Sequence, residues 1–224
     1  MKIHVMLHGQ TDFDAEGRIQ GKSDQHLNDT GKEHALKAAE SLQGKGINMI
    51  ISSPQTHALE TAEIIAEQFG IEKTSIVKAA MLKERDFGDY EGELASEVDM
   101  FALCSWGGNV AVPNGESVKD SAQRVFKYLN NVFKLFKART ILMIVPEYVL
   151  MVIRWHFNGL PKPGEELVID TDDCIYHELD TETIPPEMVD YQSLFSEQGD
   201  ADNADRVLSQ DEIDALIRKI AEPD

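Results

Sequence analysis

The chain has few cysteines and no long apolar run. Two cysteines, Cys104 and Cys174, occur in 224 residues, and their spacing matches neither a disulfide framework nor a metal-binding motif. We therefore expect no metal and no cofactor, and a cytoplasmic, reducing location. The most apolar stretch, 140–155, contains Pro146, Glu147 and Arg154, so it falls short of the roughly 18 apolar residues that a membrane span needs.

Positive charge is also scarce, because 21 lysines and arginines stand against 40 acidic residues, a net charge of −19. This balance argues against nucleic acid or an anionic membrane as a partner. Residues 180–224 hold 13 acidic and 3 basic residues, a net charge of −10. One fifth of the chain thus carries about half of the excess charge, which predicts a domain boundary near residue 180.

Apolar runs alternate with segments of helical spacing over the first 180 residues. Strands alternating with helices of ten or more residues imply a mainly parallel central sheet covered on both faces, a three-layer α/β/α fold. We predict strands at 3–7, 48–52, 75–77, 141–145, 166–170 and 174–179, and helices at 30–42, 54–69, 117–136 and 149–157.

Several separate motifs carry a resemblance to the histidine phosphatase (phosphoglycerate mutase-like) superfamily. The motif His8-Gly9-x-Thr11 lies near the N-terminus, and Gln20-Gly21 follows it. The others are Leu27-x-x-Thr30-Gly31, Ile51-Ser52-Ser53-Pro54, Leu82-x-Glu84-x-x-Phe87-Gly88 and Gly115-Glu116-Ser117. Their order along residues 1–180 resembles the family, which implies that this segment is one histidine phosphatase-like domain.

The resemblance also implies site residues. In the superfamily a histidine attacks the substrate phosphorus, two arginines and a second histidine hold the phosphoryl oxygens, and an acid handles the proton. By position, His8 matches the nucleophile and Glu84 the proton donor. The two arginines fall on Leu7 and His57, and the second histidine falls on Pro146.

These replacements predict an impaired site, because arginine is always charged and binds two phosphoryl oxygens at once. We expect His8 and Glu84 to be vestigial, and Thr11, Arg18, Gln20 and Gly21 to line the former substrate pocket. Other interpretations stay open. His8 could be a structural histidine or keep some phosphoryl chemistry, Glu84 could lie in a solvated loop, and Arg18 could form a surface ion pair or bind an anion.

Past residue 180 the sequence predicts a polar, acidic linker over 181–206 and an amphipathic helix over 207–221. Ser209 and Glu212 form a capping box, and the apolar residues follow a helical stripe. This stripe needs a surface, which could belong to the same domain, to a second copy in a homodimer or to another protein. The residues expected to contact it are Leu208, Ser209, Gln210, Glu212, Ile213, Asp214, Leu216, Ile217 and Ile220.

Residues 208–216, Leu-Ser-Gln-Asp-Glu-Ile-Asp-Ala-Leu, resemble the N-terminal peptide of the flagellar motor-switch protein FliM. That peptide is the docking segment for the phosphorylated response regulator CheY. The resemblance implies a pseudoenzyme that acts as an adaptor in chemotaxis or flagellar signalling by recruiting a CheY-type receiver. The alternatives are an active phosphatase with a rebuilt pocket that uses His8 as a phosphohistidine nucleophile, and a structural homodimer.

Overall fold

The computed structural model describes residues 1–106, 112–161 and 176–180. Its centre is a five-stranded sheet in the order β3-β2-β4-β1-β5. Strand β1 pairs in parallel with β4, β4 with β2 and β2 with β3, whereas β5 pairs antiparallel to β1. The strands are β1 (Lys2–Leu7), β2 (Met49–Ser52), β3 (Val77–Lys78), β4 (Thr140–Val145) and β5 (Tyr176–Asp180).

Helices connect the parallel strands. They are α1 (Asp12–Glu16), α2 (Asp29–Leu42), α3 (Thr56–Phe69), α4 (Met100–Cys104), α5 (Val118–Leu135) and α6 (Glu147–Asn158). Side chains cap several of them, as the Asn28 side chain accepts from the backbone N–H of Gly31 and Ser117 accepts from that of Asp120. Helix α3 ends at Gly70, whose φ of 65° is the left-handed conformation that glycine tolerates.

The core lies on both faces of the sheet. Met6, Leu142 and Ile144 belong to one buried cluster with residues of α2 and α3. Their strand neighbours Val5 and Met143 are also fully buried and point to the opposite face, since side chains alternate along a strand. Helix α6 contacts β1 and packs against α5. The predicted α/β fold with a mainly parallel sheet is therefore confirmed.

Two differences from the predicted elements have simple causes. The strand expected at 75–77 is wrong in its bounds, because Lys73–Ser75 forms a 3₁₀ turn and strand pairing begins at Val77. Helices α1 and α4 were not predicted because five residues are too few to show a helical period. The strand predicted at 166–170 lies outside the described residues.

The chain divides into two units, Met1–Ile184 and Pro185–Asp224. The predicted linker (181–206) and terminal helix (207–221) lie outside the described residues. Across the residues that the structure does describe, none of the helices has the length and apolar character needed to cross a membrane.

Candidate functional site

The candidate site lies at the carboxyl ends of two neighbouring parallel strands. Leu7 of β1 pairs with Val145 of β4, so His8 and Pro146 leave the sheet side by side. Ligands of open α/β sheets bind at this edge. A cavity of about 250 Å³ opens here, and we call it the His8 pocket. It is lined by His8, Asp14, Arg18, Ile19, Gln20, Gly21, His57, Glu84, Phe87, Ala95, Met100, Cys104, Pro146, Glu147 and Tyr148.

The backbone around His8 is held tightly. The His8 N–H donates to the carbonyl of Val145 over 3.3 Å, and the Gly9 N–H donates to the Thr61 hydroxyl over 2.9 Å. A Cβ on Gly9 would lie 2.3 Å from the carbonyl oxygen of Gly31, so only glycine allows this approach of the loop to α2.

The His8 ring has a defined orientation. Its Nδ1 lies 2.8 Å from the carbonyl oxygen of Gly9, an arrangement that places a proton on Nδ1. In the neutral ring, Nε2 then carries the lone pair. The His57 ring lies beside it, with 4.1 Å between the centroids and 55° between the planes. The structure therefore brings these two predicted residues together.

His57 is uncharged near neutral pH. Its side chain is 1% exposed in the first turn of α3. Burial, reinforced by the neighbouring His8, lowers the pKa of His57 to about 2, although a hydrogen bond with the backbone of Gln25 acts in the opposite direction. A neutral imidazole cannot supply the positive charge of an arginine at this position.

Glu84 lines the pocket and is not part of a solvated loop. Its carboxylate accepts from the backbone N–H of Arg85 over 2.7 Å and from that of Tyr148 over 3.2 Å. Burial raises the pKa of Glu84 to about 7, and the nearby Glu147 adds to the rise, while those two backbone hydrogen bonds oppose it. The side chain therefore exchanges its proton near neutral pH.

Two other carboxylates reach the pocket. Glu147 opens α6, directly after Pro146, and lines the cavity. Desolvation, reinforced by the charge of Asp14, raises the pKa of Glu147. Asp14 lies on α1 and accepts from the Gln20 side-chain amide. Sequence reasoning did not include Asp14 in the pocket, because the motifs did not show that α1 would place this residue at the cavity.

Thr11 and Leu7 do not line the pocket. Thr11 is fully buried and is the N-cap of α1, where its side chain and that of Asp14 form a capping box. Leu7 ends β1, opposite Val145. The other predicted pocket residues, Arg18, Gln20 and Gly21, all line the cavity.

Arg18 forms the predicted surface ion pair. Its Nε lies 2.6 Å from a carboxylate oxygen of Glu16, and its Nη1 donates to the carbonyl of Gly92 over 2.8 Å. The side chain is 39% exposed, so much of its charge is screened by solvent. Arg18 therefore offers the pocket little uncompensated positive charge.

Two arginines near the pocket were missed by sequence reasoning. Arg85 is fully buried, and it donates from Nε to the carbonyl of Glu116 over 2.8 Å and from Nη1 to that of Leu103 over 2.6 Å. Arg124 forms a two-pronged pair with the Glu116 carboxylate, with both distances 2.8 Å. Neither lines the cavity, and both hold the segment that carries Glu84.

Gln55 is a further residue that the motifs did not reveal. Its buried side chain accepts from the backbone N–H of Glu84 over 2.7 Å and donates to the carbonyl of Gly21 over 3.0 Å. It therefore joins two walls of the pocket that are 63 positions apart in sequence. No local pattern signals such a contact.

Comparison with solved structures supports the fold. The chain superposes on Bacillus stearothermophilus YhfR with a TM-score of 0.69 and 24% identity, over 84% of this chain and 96% of that one. It superposes on a mycobacterial glucosyl-3-phosphoglycerate phosphatase with a TM-score of 0.63 and 23% identity, over 71% and 83% of the two chains. At these identities the likeness concerns the fold alone.

Curated relatives include the probable phosphoglycerate mutase GpmB of Erwinia tasmaniensis, 30% identical over 171 residues that cover 74% of this chain and 78% of the relative. Another is the 2,3-bisphosphoglycerate-dependent phosphoglycerate mutase of Bartonella tribocorum, 28% identical over 178 residues, 73% and 84% of the two chains. A sequence model of the histidine phosphatase superfamily (branch 1) matches residues 3–191. The chain belongs to the histidine phosphatase superfamily.

Proposed function

We propose that this protein is a catalytically impaired histidine phosphatase-like protein that serves as an adaptor, recruiting a CheY-type response regulator through residues 207–221. The observation that carries the first half is the charge of the His8 pocket. Among the described residues that line it, Arg18 is the one arginine or lysine, and it is paired with Glu16. Asp14, Glu84 and Glu147 add carboxyl groups.

Phosphoryl transfer has the opposite electrostatic requirement. The transferring group spreads negative charge over its oxygens, so catalysis depends on positioned positive charge and hydrogen-bond donors. Here Leu7 and His57 stand at the two arginine positions that the resemblance implies, and Pro146 stands at that of the second histidine. Loss of one such donor costs about 10² to 10³ in rate, and several losses do not simply add.

The second half of the proposal rests on sequence. Residues 208–216 resemble the FliM peptide that docks on CheY. A polar linker of roughly 25 residues precedes this segment, and tethered amphipathic helices are a common way for one protein to recruit another. A domain with an impaired pocket and a tethered peptide fits an adaptor better than an enzyme.

An active phosphatase with a rebuilt pocket is the second candidate, and two observations favour it. The hydrogen bond from His8 Nδ1 to the Gly9 carbonyl leaves the lone pair on Nε2, as a nucleophile requires. The pKa of Glu84, which burial raises to about 7, suits a proton donor at neutral pH. The curated relatives are named as phosphoglycerate mutases, and a mutase and a phosphatase have a phosphoryl-transfer step in common.

Turnover of a generic phosphomonoester distinguishes the two candidates. We expect the full-length protein to hydrolyse p-nitrophenyl phosphate at a rate close to background, and we expect His8→Ala to leave that rate unchanged. The assay uses purified wild type and variant, with folding checked by circular dichroism. Substantial turnover that His8→Ala abolishes would contradict the impaired site and favour the phosphatase.

Deletion of residues 206–224 tests recruitment. We expect the full chain, but not the shortened chain, to bind a CheY-type receiver domain activated with beryllofluoride, measured by calorimetry or pull-down. The tail holds the segment that resembles the docking peptide, so its removal should abolish binding. Equal affinity of both chains would contradict the adaptor role.

A further inference from the structure

We propose that residues 17–22 and 91–95 form a lid over the His8 pocket, which opens as one unit and is held closed by Glu91. We call these two segments together the lid. Such a lid controls access to the pocket, which is a property beyond the adaptor role. Three features support it: the pairing of the two segments, the position of their glycines and the contacts of the Glu91 carboxylate.

The two segments of the lid pair with each other. The Ile19 N–H donates to the carbonyl of Glu93 over 3.0 Å, and the Ile19 carbonyl accepts from the Gly92 N–H over 2.8 Å. The Ala95 N–H donates to the carbonyl of Gly17 over 2.9 Å. This antiparallel pairing lies outside the five-stranded sheet. Two paired strands without a third are marginally stable in water, so we expect the lid to open at a lower cost in free energy than the sheet.

The lid forms a wall of the His8 pocket. The lining residues that it supplies are Arg18, Ile19, Gln20, Gly21 and Ala95. Cys104, at the end of α4, lines the same cavity but is only 6% exposed. Because movement of a wall would let solvent reach this side chain, the Cys104 thiol can report on access to the pocket.

Glycines lie where each segment of the lid would bend. Gly17 starts the first segment directly after α1, and Gly92 lies in the second. Their φ angles are 68° and 87°, and a Cβ at either position would meet open space. The backbone can therefore rotate at these positions without disturbing side-chain packing, as small hinge residues allow in lids.

The Glu91 carboxylate holds the lid closed. Its Oε1 accepts from the backbone N–H of Lys22 over 2.9 Å and from that of Phe87 over 3.3 Å. Gly21 allows this approach, since a Cβ there would collide with the carboxylate. The Lys22 ammonium also pairs with Asp86 over 2.8 Å, but its side chain is exposed, and an exposed ion pair contributes little. Glu91 is therefore the contact that joins the first segment to the second.

Two other hydrogen bonds tie the lid to the rest of the domain. The Gln55 side chain donates to the carbonyl of Gly21 over 3.0 Å, and the Gln20 side chain donates to the Asp14 carboxylate. Because these bonds also break on opening, the closed lid is the main state and the open lid a minor one.

Native-state hydrogen exchange of the full-length protein, followed by NMR, tests whether the lid opens as a unit. We expect the amides of Ile19, Gly92 and Ala95 to share one protection factor, at least roughly a hundredfold lower than those of β4. Low concentrations of urea should change it little, because a local opening exposes little surface. Protection equal to that of β4, or three unrelated protection factors, would overturn the inference.

A matched set of variants tests the contact of Glu91. Glu91→Ala removes the shared acceptor, and we expect it to lower the protection of the three amides roughly tenfold and to leave β4 unchanged. Glu91→Gln keeps a carbonyl oxygen and should retain most of the protection. Glu93→Ala removes a carboxylate from an exposed position of the same segment and should have no effect. Equal losses from Glu91→Ala and Glu93→Ala, or a loss that β4 shares equally, would overturn the role of Glu91.

Labelling of Cys104 connects the opening of the lid with access to the pocket. The wild type and Glu91→Ala are compared with Cys174→Ser in both, so that Cys104 is the one remaining thiol of two. The reagent is methyl methanethiosulfonate at pH 8. We expect Glu91→Ala to accelerate labelling by about the factor by which it lowers amide protection. An unchanged labelling rate would show that the cavity is reached without the lid and would overturn the inference. Residues 206–224 take no part in these measurements, so the adaptor proposal is tested separately.

Discussion

Burial sets the charge of individual residues in the His8 pocket. In solution a glutamate carboxyl and a histidine imidazole have their usual pKa values. In the folded protein, desolvation raises the pKa of Glu84 to about 7 and lowers that of His57 to about 2. The buried Arg85 keeps its guanidinium over the rings of Phe87 and Tyr148, at 5.2 and 5.3 Å from their centroids. Positive charge therefore stays behind the pocket wall, while the cavity itself holds carboxyl groups.

Glu84→Gln should change the pH dependence of stability. The folded protein binds the Glu84 proton more tightly than the unfolded chain, whose carboxyl titrates near its usual pKa of 4.5. The contribution of Glu84 to the free energy of unfolding is therefore largest below pH 4.5, and this contribution is lost as the pH rises towards 7. We expect the stability of the variant relative to wild type to improve by about 2–3 kcal/mol between pH 4.5 and 8.

Urea unfolding of both proteins at pH 5 and pH 8 measures this change. Both proteins contain His57, so each loses the same amount of stability through His57 as the pH falls below 6.5. This loss therefore cancels in the comparison. Glu33→Gln, on the exposed face of α2, is the control for the removal of a carboxylate from the surface. A constant or falling relative stability of Glu84→Gln would show that Glu84 is not desolvated.

At the scale of elements, continuous apolar runs and capping residues account for most of the fold. The run 141–145 predicted a buried strand, and β4 (Thr140–Val145) lies at the centre of the sheet, between β1 and β2. Short elements escaped prediction, because α1, α4 and the 3₁₀ turns are stabilised by caps and by contacts with distant segments. In the 3₁₀ turn Gly88–Tyr90, for example, Asp89 donates its N–H to the carbonyl of Pro113 over 3.1 Å.

Gly9→Ala tests the close approach of the His8 loop to α2. The new methyl group would collide with the backbone carbonyl of Gly31, 2.3 Å away, and backbone cannot move aside as a flexible side chain can. We expect a loss of about 1–3 kcal/mol in the free energy of unfolding, together with shifted NMR signals of His8.

Gly44→Ala is the matched comparison. Gly44 has a φ of 76° but open space around its Cβ position, so alanine there costs about 1–2 kcal/mol in backbone strain and should leave His8 unaffected. Undisturbed His8 signals in Gly9→Ala would contradict the role assigned to this contact.

At the scale of the whole molecule, the two proposed features, an impaired pocket and a recruitment segment, fall in parts of the chain that differ in charge. Residues 180–224 carry a net charge of −10 out of −19, and the segment proposed for recruitment lies among them. The pocket and the recruitment segment are thus assigned to different parts of the chain. We expect variants of one to leave the other unchanged, as variants at independent sites do.

Leu216→Ala tests this assignment in the full chain. Leu216 is in the middle of the apolar stripe that the sequence predicts for residues 207–221, so its truncation should weaken receiver binding roughly tenfold or more. Lys219→Ala, outside the stripe, should have little effect. Mass measurement of the full and shortened chains belongs to the same experiment. The structural homodimer would be favoured if the full chain were a dimer, the chain without residues 206–224 were a monomer, and no receiver binding were seen.

The sequence by itself determined the family and the α/β architecture, because motif order and apolar periodicity can be recognised along the chain. The resemblance to the family also implied that His8, Glu84 and His57 share one pocket. Tertiary structure decided which groups carry charge there. It paired Arg18 with Glu16, turned Asp14 inward, buried Arg85 and desolvated Glu84 and His57. The physical reason is that a charge state depends on solvent access and on neighbours far away in sequence, which appear only when the chain is folded.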